Sequence, residues 1–380
     1  MAKLGELYKI TSGGTPSRTH SEYYEDGTIP WVKTGDLKDK YLFETDEKIS
    51  QLGLENSSAR IYLKNTVLLA MYGATIGATS ILKIDAATNQ ACAAFSPRED
   101  TLPEYLYAFL ESQKDKFIKD AVGGAQPNLS AGYLKTIEFK LPPLEQQTRI
   151  TRNLSKIDEL LLLRKQQIAK LDELVKARFV EMFGELHKTK YNIKTLDELC
   201  EFIKDGTHQT PTYVDVTEGY KFLSSKDVTS GYIDWSSIKY ISEELHQELY
   251  KRIAPQRGDI LLAKNGTTGI PAIVETDETF DIYVSLALLR LKPNNNVRYI
   301  WSALRMPETK AQFDNSLKGV GVPNLHLGEI KKTKIIVPPF SLQNQFSAFV
   351  ERVDQQKQTV QQSLEKLELM KKALMQECFG

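Results

Sequence analysis

The sequence is poor in cysteine and has no long apolar run. Its three cysteines, Cys92, Cys200 and Cys378, lie far apart and form no CxxC or histidine-rich cluster, so neither a zinc site nor a disulfide framework is indicated. No apolar stretch reaches the length that spans a bilayer, and the first residues lack the apolar core of a signal peptide. We therefore expect a soluble protein of the reducing cytoplasm that holds no metal ion.

Basic residues are not in excess. Lysine plus arginine and aspartate plus glutamate both number 49, which is not the basic surplus of a self-sufficient nucleic-acid binder. A nucleic-acid-binding function then requires that basic residues gather on one face, or that partner subunits neutralise part of the phosphate charge. What the chain does have is size, since 380 residues with 41% hydrophobic content can bury at least two cores.

The chain also has an internal repeat. Short motifs recur in the second half in the same order as in the first. The matched pairs are Leu4–Leu7 with Leu196–Leu199, Gly14-Thr15 with Gly206-Thr207, Val67–Ala70 with Ile260–Ala263, residues 127–129 with 323–325, Pro142-Pro143 with Pro338-Pro339, and Phe183-Gly184 with Phe379-Gly380.

The displacement between the matched motifs drifts early in each half and then stays at 196 from residue 127 onward. Surface loops accept insertions at little cost, whereas one residue inserted in a helix rotates everything after it by about 100°. Each half is therefore predicted to be a variable domain followed by a rigid helix.

Two segments have the pattern of long helices. Residues 145–182 contain no proline or glycine, and their apolar residues recur at spacings of three and four, interrupted on the same stripe by Arg164 and Arg178. The second half repeats this pattern, with Lys357 and Lys371 at seam positions. Both segments follow a Pro-Pro pair and end at Phe-Gly, which are plausible helix boundaries.

Two helices of matching length, each with one apolar stripe, can most simply bury those stripes against each other. We expect an antiparallel coiled coil in which the basic seam residues help to fix the register or face partner chains. Thirty-eight residues give a rod of roughly 55 Å. The alternative is that each helix packs only on its own domain.

The rest of each half is predicted to be α+β. Short β-branched or aromatic runs between turn residues are typical of strands, for example residues 29–32, 66–70, 137–140, 259–263 and 333–337. Residues 102–119 and 297–317 are longer and periodic, as helices are. The predicted fold is two similar mixed α/β domains, residues 1–143 and 185–339, joined by long helices, residues 144–184 and 340–380, with pseudo-twofold symmetry.

Three paired loops contain candidate ligand-binding residues: residues 11–18 with 204–211, 71–77 with 264–269, and 123–129 with 318–325. Their glycines let the backbone approach a phosphate, and their polar side chains can reach phosphates or base edges. An ordinary polar turn, a tight strand connection or the start of the next element are the structural alternatives. The second pair has no Gly-Lys-Ser/Thr, so it is not a nucleotide-binding P-loop.

The candidate DNA-binding residues come from these loops and from three further positions, Lys33, Thr34 and Lys226. In the first half they are Thr15, Arg18, Lys33, Thr34, Tyr72, Thr75, Gln126 and Asn128. In the second half they are Thr207, His208, Gln209, Lys226, Lys264, Asn265, Thr267, Lys318 and Asn324.

The order of motifs over nearly the whole chain resembles the specificity subunit of type I restriction–modification systems. The motifs are Gly-Gly-Thr-Pro-Ser at residues 13–17, Ile-Pro-Trp-Val at 29–32 with Gly-Asp-Leu at 35–37, Gly-Ala-Thr-Ile-Gly at 73–77, and Leu-Pro-Pro-Leu-Glu-Gln-Gln at 141–147. No single motif is specific for this family. What is specific is that the motifs occur in the same order in both halves, each time followed by a long helix.

The resemblance implies two target-recognition domains that each read one half of a split asymmetric DNA sequence. It also implies that the helices set the gap and dock two methyltransferase subunits, and that nuclease or translocase subunits can join the complex. This chain would bind no cofactor itself, because S-adenosylmethionine is used by the methyltransferase subunits. Any partner contact assigned to Glu145 or Gln146 is doubtful in the second copy, which lacks that Glu-Gln pair.

Two other classes of protein remain as alternatives: a DNA methyltransferase, or a recognition subunit or part of another, type II-like methyltransferase assembly, and a coiled-coil adaptor. An adenine methyltransferase has an Asp/Asn-Pro-Pro-Tyr/Phe element, but here Val337 and Leu141 stand at the first position and cannot accept a hydrogen bond. The sequence also shows no metal-dependent nuclease cluster and no credible Ser-His-Asp pattern, so we predict a non-catalytic chain. A coiled-coil adaptor would suit the neutral charge but leaves the duplicated, loop-rich domains unexplained.

Overall fold

The computed structural model describes residues 1–122, 127–229, 231–317 and 323–380. These residues form two compact units. Unit 1 consists of Met1–Lys165 and Gln362–Gly380, and unit 2 consists of Gln166–Gln361. Each unit contains one mixed domain and a part of both long helices, so the predicted fold class is confirmed.

Unit 1 contains three sheets. The first has the strand order Thr11–Ser12, Cys92–Phe95, Val67–Ala70, Thr79–Leu82 and Tyr41–Leu42. The second has the order Glu47–Ile49, Ile29–Val32, Ala86–Thr88 and Ile61–Tyr62, and a third pairs Ala2–Lys3 with Glu138–Phe139. The shorter helices are Leu4–Leu7, Gln51–Glu55, Pro103–Ser112, Lys114–Asp120 and Ala131–Thr136, with 3-10 turns at Ser21–Tyr23, Thr34–Asp36 and Gly73–Thr75.

Unit 2 repeats this plan. Its first sheet has the order Cys200–Asp205, Leu286–Leu291, Ile260–Ala263 and Pro271–Ile273. Its second has the order Tyr213–Val214, Lys239–Ile241, Tyr220–Leu223 and Phe280–Ile282, and a third pairs Asn192–Thr195 with Lys334–Val337. The shorter helices are Leu196–Leu199, Glu243–Arg252, Val297–Leu304, Pro307–Asn315 and Leu327–Lys332, with a 3-10 turn at Ser225–Val228.

The strand at the centre of each unit is buried on both faces. In Val67–Ala70, Val67 and Leu69 belong to one core cluster, while Leu68 and Ala70 belong to another. The matching strand Ile260–Ala263 is divided between two clusters in the same way. Alternate side chains of a strand point to opposite faces, so a strand covered on both sides must be apolar throughout. This explains the repeated four-residue apolar motif.

The two medium helices predicted from periodicity are each broken in two. Residues 102–119 form Pro103–Ser112 and Lys114–Asp120, separated at Gln113. Residues 297–317 form Val297–Leu304 and Pro307–Asn315, because Pro307 occupies the first turn of a new helix, the place where its missing N–H costs nothing. Among all helices of the described ranges, none combines the length and apolarity needed to cross a membrane.

The long helices begin and end close to the predicted residues. Helix 1 is Leu144–Phe183 and helix 2 is Phe340–Phe379. Helix 1 ends at Gly184, which has a φ of 79° and donates its N–H to the Val180 carbonyl at 2.8 Å. A left-handed residue after the last turn is where glycine is favoured, so Phe-Gly is a true stop signal here.

A buried glutamine attaches the start of each long helix to its domain. The Gln147 amide nitrogen donates to the Pro142 carbonyl, and its oxygen accepts the Leu102 N–H at 2.9 Å. Gln343 repeats the arrangement with the Pro338 carbonyl and the Asn296 N–H. The Pro-Pro pair is therefore a helix boundary in both units, as the sequence predicts.

In unit 1 the two helices pack against each other. Ile150 and Leu154 of helix 1 share a core with Leu374 and Met375 of helix 2. The interrupting Lys371 pairs with Asp158 of helix 1 at 2.6 Å. Residues early in helix 1 thus meet residues late in helix 2, as an antiparallel pair requires.

Unit 2 contains the matching contacts from the other ends of the helices. The Phe179 ring of helix 1 lies 5.5 Å from the Phe346 ring of helix 2, and Lys357 pairs with Asp172 at 2.6 Å. Each helix also packs on a domain, for instance Phe179 against Tyr299 at 5.8 Å. The expectation that the helices pair is confirmed, and the basic seam residues of helix 2 have acidic partners on helix 1.

Candidate nucleic-acid interface

The first loop of unit 1 lies directly on the end of a strand. Gly14 donates its N–H to the Thr88 carbonyl at 2.9 Å, and the Trp31 indole donates to the Gly14 carbonyl at 3.0 Å. A Cβ atom at Gly13 would overlap the Thr88 carbonyl oxygen, so only glycine permits this approach. The loop then presents Thr15, whose hydroxyl donates to the Gln90 side-chain oxygen.

Two predicted basic residues of unit 1 meet on one carboxylate. Arg18 Nη2 lies 2.5 Å from Glu47 Oε2, and Lys33 Nζ lies 2.8 Å from Glu47 Oε1. The Lys33 hydrogen bond, followed by the hydrogen bond and charge of Arg18, lowers the pKa of Glu47, and the same Lys33 bond raises the pKa of Lys33. Arg18 remains 55% exposed. The cluster is thus a charged surface site rather than part of the core.

The second and third loops of unit 1 are brought together. Tyr72 forms a bridge with Asn128, and Gly73 donates its N–H to the Pro127 carbonyl at 3.0 Å. The Thr75 hydroxyl donates to the Tyr72 carbonyl at 3.1 Å and closes the turn. Gln126, also predicted here, lies outside the described residues.

One segment, residues 88–91, links all of these loops. Its Thr88 carbonyl accepts from Gly14, its Asn89 N–H donates to the Val32 carbonyl at 2.9 Å, and its Ala91 carbonyl accepts from Met71 at 2.8 Å. Loops that are distant in sequence therefore end at one edge of the unit. We call this set edge 1, and its members are Thr15, Arg18, Lys33, Thr34, Tyr72, Thr75 and Asn128.

Unit 2 builds an equivalent edge with the same backbone bonds. Thr207 donates its N–H to the Ile282 carbonyl at 3.2 Å, Tyr283 to Leu223 at 2.8 Å, and Lys264 to Ser285 at 2.8 Å. Asn265 forms a bridge with Asn324, as Tyr72 does with Asn128. We call this set edge 2, and its members are His208, Gln209, Lys226, Asn265, Thr267 and Asn324.

These bonds correct the sequence pairing of the first loops by one residue. Gly14 and Thr207 donate to equivalent carbonyls, so Thr15 corresponds to His208, and Gln209 corresponds to Pro16 rather than Ser17. The extra residue of unit 2 is accommodated by a bulge between Cys200 and Phe202. Sequence identity alone had aligned the wrong glycines.

Two predicted contacts of unit 2 are buried and are corrected. Lys264 is 6% exposed at its side chain, and its Nζ lies 2.5 Å from Asp205 Oδ2. Thr207 is 8% exposed, and its hydroxyl oxygen accepts the Gln209 N–H at 3.2 Å. A side chain already buried and bonded cannot also reach a phosphate, so both residues support edge 2 from beneath. The equivalents of Lys264 and Asp205 in unit 1 are Met71 and Ser12.

The remaining candidates of edge 2 differ in exposure. His208 and Gln209 are exposed, and His208 Nε2 lies 3.5 Å from Asp205 Oδ1. Lys226 is exposed on the 3-10 turn but corresponds to Gly35, so it has no basic counterpart in unit 1. Asn324 is partly buried, and Lys318 lies outside the described residues.

Several residues that shape the edges were missed by sequence reasoning. In edge 1 they are Glu47 and Gln90. In edge 2 they are Asp205 and Arg252, whose guanidinium donates to the Asp205 and Gly206 carbonyls at 3.0 and 3.2 Å. Glu47, Gln90 and Arg252 lie far in sequence from the loops that they contact. Asp205 lies next to its loop, but the sequence does not show that it pairs with Lys264.

A buried polar pair lies beneath edge 2. His246 Nδ1 is 2.6 Å from Asp281 Oδ2, and the imidazole stacks on Tyr220 at 3.8 Å. Burial raises the pKa of Asp281 to about 6, although the His246 hydrogen bond opposes this rise. Asp281 pairs with Phe222 as Ala87 pairs with Trp31 in unit 1. The same strand is therefore supported by polar groups in one unit and by apolar groups in the other.

The chemistry available at both edges is hydrogen bonding and charge. Burial raises the pKa of the Cys92 and Cys200 thiols to about 12, so these sulfurs are poor nucleophiles. Among the described residues, Glu185, His187 and Glu308 place ligand atoms within 4.8 Å of one another and could hold a metal ion. His187 contacts the Glu185 and Glu308 carboxylates at 3.5 and 3.6 Å, and such contacts between exposed side chains are also common without a metal ion.

Known proteins are similar to this chain in sequence and in fold. The chain is 27% identical over 375 residues to the type I restriction enzyme MjaIX specificity subunit of Methanocaldococcus jannaschii, covering 92% of this chain and 85% of that protein. It is 23% identical over 399 residues to the MjaVIII specificity subunit of the same organism, covering 99% and 90%.

Two solved structures have the same fold. One, from work on complex assembly and conformational transition of the type I R-M system, has a TM-score of 0.67 at 17% identity and covers 100% of this chain and 96% of its own. The S subunit from M. genitalium has a TM-score of 0.54 at 16% identity and covers 100% and 95%. The family model for the type I restriction modification DNA specificity domain matches twice, at residues 1–173 and 188–369. The chain, internally repeated as its sequence predicts, therefore belongs to the DNA specificity family of type I restriction–modification systems.

Proposed function

We propose that this specificity chain reads a bipartite DNA site through edges 1 and 2, one half-site each, and contributes no catalytic group. The observation that carries this proposal is the doubled construction of the edges. The same three loops meet at the same strand ends in both units, yet the exposed side chains differ. A shared backbone with different side chains suits two readers of unlike sequences.

The differences lie in the groups that discriminate bases. At the positions equivalent to Lys33 and Tyr72 of edge 1, unit 2 has Ser224 and Asn265. Lysine and arginine favour guanine in the major groove, while asparagine and glutamine pair with adenine. The two half-sites should therefore differ in sequence. The same side chains can also bind phosphates, so the bases themselves do not follow from this list.

The long helices would set the gap between the half-sites and dock two methyltransferase subunits, which use S-adenosylmethionine. Each helix has 40 residues and so extends about 60 Å. Half-sites on one face of DNA lie about 34–36 Å apart per helical turn, which is within this length. Partner subunits would also supply the positive charge that a neutral chain lacks. Nuclease or translocase subunits would join the same complex.

The test is selection of bound duplexes from a random pool by the full-length chain with its methyltransferase subunits. The expected consensus has two unlike halves with a fixed gap. Arg18→Ala should relax one half, and Gln209→Ala, in the corresponding loop of edge 2, should relax the other, each by about 10-fold in discrimination. Loss of both halves in either variant would contradict independent reading.

The same preparation distinguishes the other functions. Affinity that falls steeply with salt is expected of a DNA binder, whereas flat behaviour or no binding would favour an adaptor. Methyl transfer to DNA by this chain without its partners would show that it is itself the enzyme.

A further inference from the structure

One strand position has opposite charge in the two units. Glu47 pairs with Trp31 in the sheet of unit 1, and Lys239 pairs with the equivalent Phe222 in unit 2. Lys239 Nζ lies 3.9 Å from the Tyr213 ring centroid, so unit 2 presents a cation on an aromatic surface. Unit 1 achieves a similar surface with Arg18 over Tyr24 at 4.1 Å, but adds a carboxylate beside it.

The carboxylate restrains Arg18 from one side. The guanidinium rests on Tyr24 and lies 5.4 Å from the Trp31 ring, while Nη2 donates to Glu47 at 2.5 Å. Tyr24 is itself fixed, because its hydroxyl donates to the Pro16 carbonyl at 2.5 Å. Within the described part of the chain, the bond to Glu47 is the one hydrogen bond that Arg18 makes. The Arg18 Nη1 group and the second hydrogen on Nη2 therefore remain available. Those are the donors of a bidentate contact to guanine.

The same carboxylate also neutralises Lys33. Lys33 Nζ is held at 2.8 Å from Glu47 Oε1 and is only 33% exposed. A carboxylate between two cations repels a phosphate that approaches them, since like charges disfavour contact. Phosphate contacts add affinity without sequence information, whereas an oriented arginine adds discrimination.

From these contacts we infer that Glu47 is a specificity-determining positioning residue. It orients Arg18 toward a base edge, and it keeps Arg18 and Lys33 from acting as phosphate anchors. This inference rests on the proposed function, because it assumes that edge 1 reads one half-site. It assigns the role to a residue outside the loops, acting through Arg18 rather than touching DNA itself.

The test is Glu47→Gln in the full-length chain with its methyltransferase subunits. Binding is measured to the selected duplex, to duplexes mutated in either half, and to unrelated DNA over a salt series. Removing the carboxylate should lower discrimination at the half read by edge 1 by about 10-fold and leave the other half unchanged. Affinity for unrelated DNA should rise, and the salt dependence should steepen by about one phosphate or more.

The matched control is Lys239→Gln, which removes a charge of opposite sign from the equivalent strand position. It should weaken binding to all duplexes equally and make the salt dependence shallower by about one, with no change in discrimination by edge 1. Glu47→Asp, which keeps the charge, should recover part of the discrimination lost in Glu47→Gln.

Three outcomes would overturn the inference. Unchanged discrimination in Glu47→Gln would show that the carboxylate has no part in reading. A uniform loss of binding to all duplexes, with lower thermal stability, would show a structural role. A steeper salt dependence with unchanged discrimination would show that Glu47 screens charge only. If the parent chain itself shows no two-part preference, the proposed function fails instead, and that result is seen before any variant is made.

Discussion

The two units hold the same loops with different physical chemistry. Beneath edge 1 the supporting residues are small or apolar, including Met71 and Ala87. Beneath edge 2 the equivalent positions carry Lys264 and Asp281, paired with Asp205 and His246. The backbone hydrogen bonds are nevertheless alike. Backbone bonds to the strand ends and close-packed glycine thus fix the loops. The side chains beneath the loops can therefore differ in polarity between the two units.

The difference has an energetic consequence. Substitutions in the apolar residues beneath edge 1 should lower stability in proportion to the apolar area that is lost, because burial energy scales with that area. A buried ion pair adds little net stability, yet losing one partner leaves the other charged and desolvated. Edge 2 should therefore be the more fragile of the two edges.

The largest expected effect tests that fragility directly. Lys264→Met introduces the residue that unit 1 has at this position. It removes the ammonium group that lies 2.5 Å from Asp205 Oδ2 in the parent chain and so leaves Asp205 without its closest cation. The free energy of unfolding of unit 2 should fall by about 3–5 kcal/mol. Hydrogen exchange measured on peptides of the full-length chain should show lost protection in Cys200–Asp205 and Ile260–Ala263, with unit 1 unchanged.

The control is the double change Asp205→Ser with Lys264→Met, which installs both residues of unit 1. Replacing both members of a buried pair is often neutral, so most of the lost protection should return. A double variant as unstable as the single one would mean that the two units are not interchangeable in this respect.

The second prediction concerns pH and separates the units further. The pKa of Asp281 is about 6, above its ordinary value of 3.8, because burial disfavours the charged form. Well below pH 3.8 the group is neutral in both the folded and unfolded states. As pH rises from 4 to 6 only the unfolded state ionises, so stability is lost, by at most about 3 kcal/mol.

This loss should be confined to unit 2, since Ala87 does not titrate. The measurement is exchange protection of Phe280–Ile282 between pH 4 and 7, corrected for the intrinsic exchange rate, in the parent chain and in Asp281→Asn. The difference between the two chains should change over that window and level off above pH 6. A constant difference would show that Asp281 has the same pKa in both states.

The long helices and the repeated apolar strands were predictable from sequence because they depend on local rules. Periodicity predicts an apolar seam, Pro-Pro prevents a helix from extending backward, and Gly184 has the left-handed conformation that ends one. The central apolar strands were equally clear. A coarse pattern of doubled motifs was enough to predict two similar domains and the family.

The candidate site was less predictable because exposure is a property of the fold. Lys264 is a plausible DNA contact in sequence, but it follows a buried strand and faces Asp205. Glu47 is one charged residue among many until the sheet register places it beside Arg18 and Lys33. Pairings between residues distant in sequence decide which polar groups are available, and one sequence does not contain them.

The smallest expected effect concerns the long helices, where the two units are most alike. Asp172 follows Asp158 by 14 residues, and Lys357 precedes Lys371 by 14, so the two ion pairs are two heptads apart in one antiparallel register. Lys357 is 18% exposed and Lys371 is 38% exposed. Because water screens such pairs, Asp172→Asn should cost below about 1 kcal/mol and Asp158→Asn less still.

Urea unfolding at low and high salt measures both costs. At about 1 M salt the screening length falls to about 3 Å, and the two variants should then match the parent chain. A cost above about 2 kcal/mol, or one that persists in salt, would mean that the pairs are structural supports. A small, salt-sensitive cost would mean that they act chiefly on register, since sliding one helix by a heptad separates both pairs at once while the apolar seam stays largely matched.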